Sequence, residues 1–134
     1  MITASAIWTD NDRFVAQATS GHAIVVDAGE KKTASSPVEL VLIGLCACTA
    51  YDVVNILRKK REDFTAVEVF AEGERATAQP AIYTTIKLVY KVKGKVSRQA
   101  VESAVRLSEE KYCSVAAMLN KTAKITYNIE LDEK

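Results

Sequence analysis

Ser35-Ser36-Pro37-Val38-Glu39-Leu40-Val41-Leu42-Ile43-Gly44-Leu45-Cys46-Ala47-Cys48-Thr49-Ala50-Tyr51-Asp52-Val53-Val54 is the stretch on which the reading of this chain turns. It opens as a helix opens. Ser36 is an N-cap, Pro37 takes the first helical position, and Glu39 at the third completes a capping box. The helix is then apolar on all sides until Asp52, Asn55 and the basic run Arg58-Lys59-Lys60-Arg61, which suits the negative end of the helix dipole. A helix apolar all round is buried all round. A chain of 134 residues can scarcely wrap it alone, so part of its surface is expected to be covered by a second subunit.

The residues before this helix read as three strands, at 2–8, 13–19 and 23–27. The turns Asp10-Asn11-Asp12 and Ser20-Gly21-His22 separate them. After the helix, 64–71 and 81–92 read as strands joined by a polar turn at Gly73-Glu74-Arg75. Ile82, Thr84, Ile86, Leu88 and Tyr90 share one face of the second strand. Lys93-Gly94-Lys95 turns the chain, and Ser97 caps an amphipathic helix with Val101, Ala104, Val105 and Leu107 on its apolar face. Tyr112-Cys113 breaks that helix, 114–119 reads as a short further one, and Ile125, Tyr127, Ile129 and Leu131 alternate as a last strand. The order βββ-α-ββ-α-α-β is an α+β fold, expected as one domain over residues 1–134.

Eighteen basic and seventeen acidic residues leave a net charge of +1, which argues against nucleic acid or an anionic membrane as partner. The uncharged run 40–51 is too short to span a bilayer, and no secretory signal is visible. Three cysteines, an odd number, do not make an extracellular disulfide framework. The expected compartment is the cytoplasm, where a disulfide is transient and chemical. No cofactor motif or metal site is read. Cys46 and Cys48 form a Cys-x-Cys, but on a helix their side chains diverge by about 200° and do not chelate one ion. Cys46 is therefore assigned to the core.

Cys48 stands eleven residues after Pro37, and Cys113 follows 65 residues later in Lys-Tyr-Cys-Ser. With Pro-x-Glu-Leu at 37–40, this spacing resembles the OsmC/Ohr family of osmotically inducible and organic-hydroperoxide-resistance proteins, and the resemblance covers nearly the whole chain. The stretches Tyr51-Asp52-Val53-Val54-Asn55-Ile56-Leu57 and Glu110-Lys111-Tyr112-Cys113-Ser114-Val115 look most like a subgroup of short members. The resemblance implies an intertwined homodimer with the long helices at its centre. It also implies that Cys48 attacks an organic hydroperoxide, becomes a sulfenic acid, and condenses with Cys113 to a disulfide that an external dithiol, of lipoyl type in one branch, reduces.

The residues around the cysteines refine this expectation. At 100° per residue, Gly44 and Asp52 lie on the Cys48 face, one turn to either side, and both are expected to line its cleft. A helical side chain leans over the turn before it, so the Cys48 sulfur lies over Gly44, where no side chain blocks it. Asp52 opposes activation, because a nearby carboxylate disfavours a thiolate. The family's hydroperoxidase branch supplies an arginine from the first hairpin and a glutamate directly after the proline. Here Val38 takes that place and the glutamate stands at Glu39, so Arg13 and Glu39 are the candidate activating residues, with a strand-start charge and a helix cap as their plainer roles. Ser114 replaces the proline that usually follows the second cysteine. Two other functions use the same thiols: binding of a small apolar or electrophilic ligand at the dimer cleft without turnover, and thiol redox sensing.

Overall fold

The structure, a computed structural model, describes residues 1–133. It divides into two compact units, Met1–Val41 and Leu42–Lys134, with the boundary inside the long helix.

In the first unit, β1 (Ala4–Asp10), β2 (Arg13–Ala18) and β3 (Ile24–Asp27) form an antiparallel sheet in the order β1-β2-β3. Trp8 pairs with Phe14 and Phe14 with Val26. Asn11, at a positive φ of 47°, makes the first turn, as short polar residues do in left-handed backbone. The loop after β3 is organised by Asp27. Its carboxylate accepts from the Gly29 N–H at 2.9 Å, the Thr33 N–H at 2.9 Å and the Thr33 hydroxyl at 2.6 Å. The Thr33 hydroxyl and these backbone N–H groups hold Asp27 down at about 2. A depressed carboxyl pKa contributes stability above the unfolded value and loses it as pH falls through the folded one. Thermal melts of the wild type should therefore lose stability between about pH 4 and pH 2, and Asp27→Asn should show a shallower loss over the same range.

Helix α1 (Pro37–Lys59) begins as its sequence dictates. The Ser36 N–H donates to Glu39 Oε1 at 2.9 Å, and the Glu39 N–H donates to Ser36 Oγ at 3.3 Å. Loss of an N-cap costs about 1 kcal/mol. Ser36→Ala is expected to lower the urea midpoint by that amount of stability, with the slope of the transition unchanged.

In the second unit, α1 buries a single stripe, Leu45, Thr49, Val53 and Leu57, at the four-residue spacing of one helix face. Ile43 and Tyr51 remain 51% and 64% exposed. Within this unit, the helix expected to be buried all round is covered on one side. By length and hydropathy α1 is also long enough to cross a membrane, because its apolar character continues past Asp52 and beyond the uncharged run. The core helix of a water-dissolved fold passes the same test.

Strands β4 (Asp63–Arg75), β5 (Tyr83–Lys95) and β6 (Lys124–Asp132) form the second sheet in that order. β4 and β5 are antiparallel, β5 and β6 parallel. A parallel pair needs a crossover. It is supplied by α2 (Arg98–Leu107), a π-helical turn (Ser108–Tyr112) and α3 (Ser114–Leu119). Ser97 caps α2 as expected, its Oγ accepting from the Ala100 N–H at 3.0 Å. Ile86, Leu88, Tyr90 and Val92 of β5 join Val101, Ala104 and Val105 of α2 in the buried core.

Two details of this sheet differ from the sequence expectation. Gly73-Glu74-Arg75 lies inside β4, not in a turn. A Cβ on Gly73 would meet Tyr83 Cε1 at 2.6 Å, so the glycine makes room for a neighbouring ring instead of reversing the chain. Tyr83, and not Ile82 or Thr84, is the buried residue at the start of β5. The register slips between Glu74 and Arg75, so Glu74 pairs with Thr85 and Arg75 with Tyr83, and the extra residue on β5 inverts the alternation there.

Candidate functional site

Cys48 and Asp52 project from one face of α1, four residues apart. The crossover brings Cys113 to them. The two sulfurs and an Asp52 carboxylate oxygen all lie within 4.8 Å of one another, with Cys113 buried and the other two half-buried. A π-helical turn makes this meeting possible. The Cys113 N–H bonds to the Ser108 carbonyl at 2.9 Å, five residues back. In a regular helix positions five apart diverge by about 140°, whereas the wider π turn sets them one turn apart. Ser108 and Cys113 consequently both address α1: Ser108 Oγ donates to Asp52 Oδ2 at 2.9 Å, and the Cys113 thiol meets that of Cys48.

Cys113 also caps α3, its Sγ accepting from the Ala116 N–H at 3.2 Å. Burial is the main cause that pushes its thiol up to about 12, and the hydrogen bond with Cys48 adds to it. One turn before Cys48, a Cβ on Gly44 would meet nothing within 4 Å, so within this unit the Cys48 face is unobstructed there. A cavity of about 440 Å³ opens beside Asp52, lined by Tyr51, Asn55, Ile56, Leu107 and Tyr112 among others.

Behind the cysteines stands a polar pair that has no signature in the sequence. Tyr90 is fully buried, and its hydroxyl donates a short hydrogen bond to Glu109 Oε1. Burial, reinforced by this bond, raises the Tyr90 pKa, and burial also raises that of Glu109. Tyr127 meets Tyr90 edge to face at 6.0 Å between ring centres. Thr49 lowers the Tyr90 pKa and the Cys113 thiol adds to its rise.

The other sequence candidates take separate places. Arg13 lies in the first unit, where its guanidinium pairs with Asp10 of its own hairpin, Nε–H donating to Oδ1 at 3.1 Å and a second N–H to Oδ2. Glu39 closes the capping box of α1. Cys46 is half-buried, and desolvation raises its thiol pKa. Ser108, Tyr90 and Glu109 were not legible in advance: Asp52 and Ser108 are 56 positions apart, Tyr90 and Glu109 nineteen, and neither pair carries a recognisable motif.

Known proteins agree with this architecture. The family model described as OsmC-like protein matches residues 29–128. Protein YhfA of Escherichia coli (strain K12) is 42% identical over 125 residues, which span 92% of this chain and 93% of that protein. The crystal structure of a hypothetical protein from Aquifex aeolicus VF5 is 32% identical and superposes with a TM-score of 0.86, covering 99% of this chain and 98% of the other. An organic hydroperoxide resistance protein from Legionella pneumophila, 14% identical, shares the fold with a TM-score of 0.74 over 97% of this chain and 96% of its own. Cysteines at the matched spacing, the α+β topology and these likenesses converge: the chain belongs to the OsmC-like protein family.

Proposed function

We propose that this protein is a thiol-dependent reductase of organic hydroperoxides, working in the cytoplasm as a homodimer of one-domain subunits. The observation that carries the reading is the convergence of Cys48 and Cys113, from α1 and the crossover, to within 4.8 Å of each other and of Asp52. The Legionella pneumophila protein of the same fold is described as an organic hydroperoxide resistance protein, which supports the substrate class.

In this reading the Cys48 thiolate attacks the terminal oxygen of R–O–O–H. The O–O bond breaks, Cys48 becomes a sulfenic acid, and the departing alkoxide takes a proton to leave as an alcohol. Cys113 then attacks the Cys48 sulfur and water departs, leaving a disulfide. An external dithiol, of lipoyl type in this proposal, returns two electrons and two protons. A disulfide needs its sulfurs about 2.05 Å apart. From within 4.8 Å, side-chain rotation and a small shift of the crossover bring them to bonding distance. In this proposal Gly44 and Asp52 line the cleft, and Arg13 and Glu39 are only the candidate activating residues, each already engaged, by Asp10 and by Ser36. The exposed apolar residues Ile43 and Tyr51 of α1 support a second copy of the chain as cover for that helix.

Cys113 favours a second reading. Burial pushes its thiol up, which suits slow redox sensing or ligand binding at the same cleft better than rapid turnover. Stopped-flow oxidation of the reduced protein by cumene hydroperoxide separates the two. Reaction far faster than that of an ordinary free thiol, ending in a Cys48–Cys113 disulfide by mass spectrometry, supports the reductase. A rate equal to a free thiol's overturns it.

A further inference from the structure

Cys48, Asp52 and Cys113 are also three ligands in search of a cation. Two thiols and a carboxylate oxygen lie mutually within 4.8 Å. Tetrahedral zinc, with Zn–S about 2.3 Å and Zn–O about 2.1 Å, sets its ligand atoms roughly 3.5–3.8 Å apart. Closing the trio onto one ion therefore takes a movement on the order of 1 Å. Cys48 and Asp52 stand one helical turn apart on the same face, a spacing at which a helix presents two ligands to one ion, and Cys113 arrives from another element as the third. This trio differs from the Cys46–Cys48 pair, whose side chains diverge.

The surroundings hold two of the three groups in place. Ser108 Oγ donates to Asp52 Oδ2 at 2.9 Å, which fixes the carboxylate. The Ala116 N–H donates to the Cys113 sulfur at 3.2 Å, a bond that strengthens when that sulfur carries negative charge. Outer hydrogen bonds of this kind orient metal ligands and tune their strength. No Lys or Arg among the described residues forms an ion pair with Asp52.

We infer that Cys48, Asp52 and Cys113 form a binding site for a thiophilic divalent cation of the zinc class, with a fourth position open to water or a small ligand. Two sulfur ligands exclude magnesium and calcium, which take oxygen. Binding exchanges the two thiol protons, released to solvent, for the metal. Metal and disulfide use the same sulfurs and exclude each other, so an occupied site shields both cysteines from peroxide. The inference does not depend on peroxide turnover.

The test is titration of the reduced full chain with Co²⁺, a spectroscopic substitute for Zn²⁺, followed by displacement with Zn²⁺ against a chromogenic chelator. The expected result is one Co²⁺ per chain, with thiolate-to-cobalt charge transfer and the visible bands of a tetrahedral ion. Cys113→Ser should abolish the charge-transfer band of its thiolate and weaken binding, Asp52→Asn should weaken it roughly 10- to 100-fold, and Ser108→Ala about 10-fold. Cys46→Ser should bind as wild type, and the disulfide form should bind none. Absence of charge transfer, wild-type affinity in either Cys113→Ser or Asp52→Asn, or lost binding in Cys46→Ser overturns the site. Failure of the reductase reading alone leaves every one of these signals in place.

Discussion

Cys48→Ser is expected to abolish the rapid oxidation of the reduced protein by cumene hydroperoxide, with a loss of roughly 100-fold or more, because the thiolate is the nucleophile and a serine hydroxyl does not replace it. Cys113→Ser should behave differently. Its first oxidation step should survive, since Cys48 still attacks, but the sulfenic acid should persist long enough to be trapped by a carbon nucleophile and detected by mass. Turnover with a dithiol should then collapse into slow direct reduction. The contrast follows from the geometry: Cys48 lies on the α1 face beside the open Gly44 position, whereas Cys113 is buried and caps α3. Equal loss of the fast phase in both variants would remove the division of labour between attacking and resolving thiols. A Cys48→Ser protein that still oxidises rapidly would remove Cys48 from the chemistry altogether.

The second large effect is on stability. Tyr90→Phe removes one oxygen from a fully buried side chain and leaves Glu109 without its donor. Glu109 is half-buried, so stranding it should cost about 1 kcal/mol, the low end for a lost partner. Tyr90→Ala, which also empties the ring's volume and its edge-to-face contact with Tyr127, should cost about 3–5 kcal/mol. A chemical denaturation series separates the two contributions. In Tyr90→Phe combined with Glu109→Met both polar groups are gone, so the double variant should recover much of what Tyr90→Phe loses. The effect should also depend on pH. Burial raises the Glu109 pKa and the Tyr90 hydrogen bond opposes that rise. Without Tyr90's hydroxyl the folded carboxyl rises further, so the native state holds its proton to higher pH than the unfolded chain does. Stability is then lost as pH rises above the ordinary carboxyl value, and the penalty of Tyr90→Phe should be larger at pH 7 than at pH 4. A penalty that is constant across this range would mean that Glu109 does not feel the loss.

Local signals in the chain carried much of this architecture. Ser36-Pro37-Val38-Glu39 named the start of α1 to the residue, because a capping box is closed by side chains three positions apart. The order of strands and helices was likewise readable from short-range periodicity, and Ser97 marked the start of α2. Local reading failed where a distant neighbour decided the outcome. Gly73 looks like a turn residue but sits in a strand, because the ring of Tyr83 occupies the space that a side chain would need. The buried face at the start of β5 shifted by one residue because a register slip against β4 inverted it.

The candidate site divides along the same line. Cys48 and Cys113 were legible from type and spacing, and Gly44 and Asp52 from the helical repeat that places them on the Cys48 face. The partners of these residues were not. Ser108 meets Asp52, and Cys113 meets Cys48, only because a π-helical turn widens the middle of the crossover by one residue per hydrogen bond. Tyr90 carried only the alternation of its strand and Glu109 no signal at all; their hydrogen bond forms between β5 and the crossover. Helix starts, element order and the two candidate thiols could be read locally, since each rests on residues within a turn or two of one another or on a fixed separation. Tertiary structure alone decided which polar groups surround those thiols and how close the sulfurs stand, because only folding sets distances between side chains dozens of residues apart.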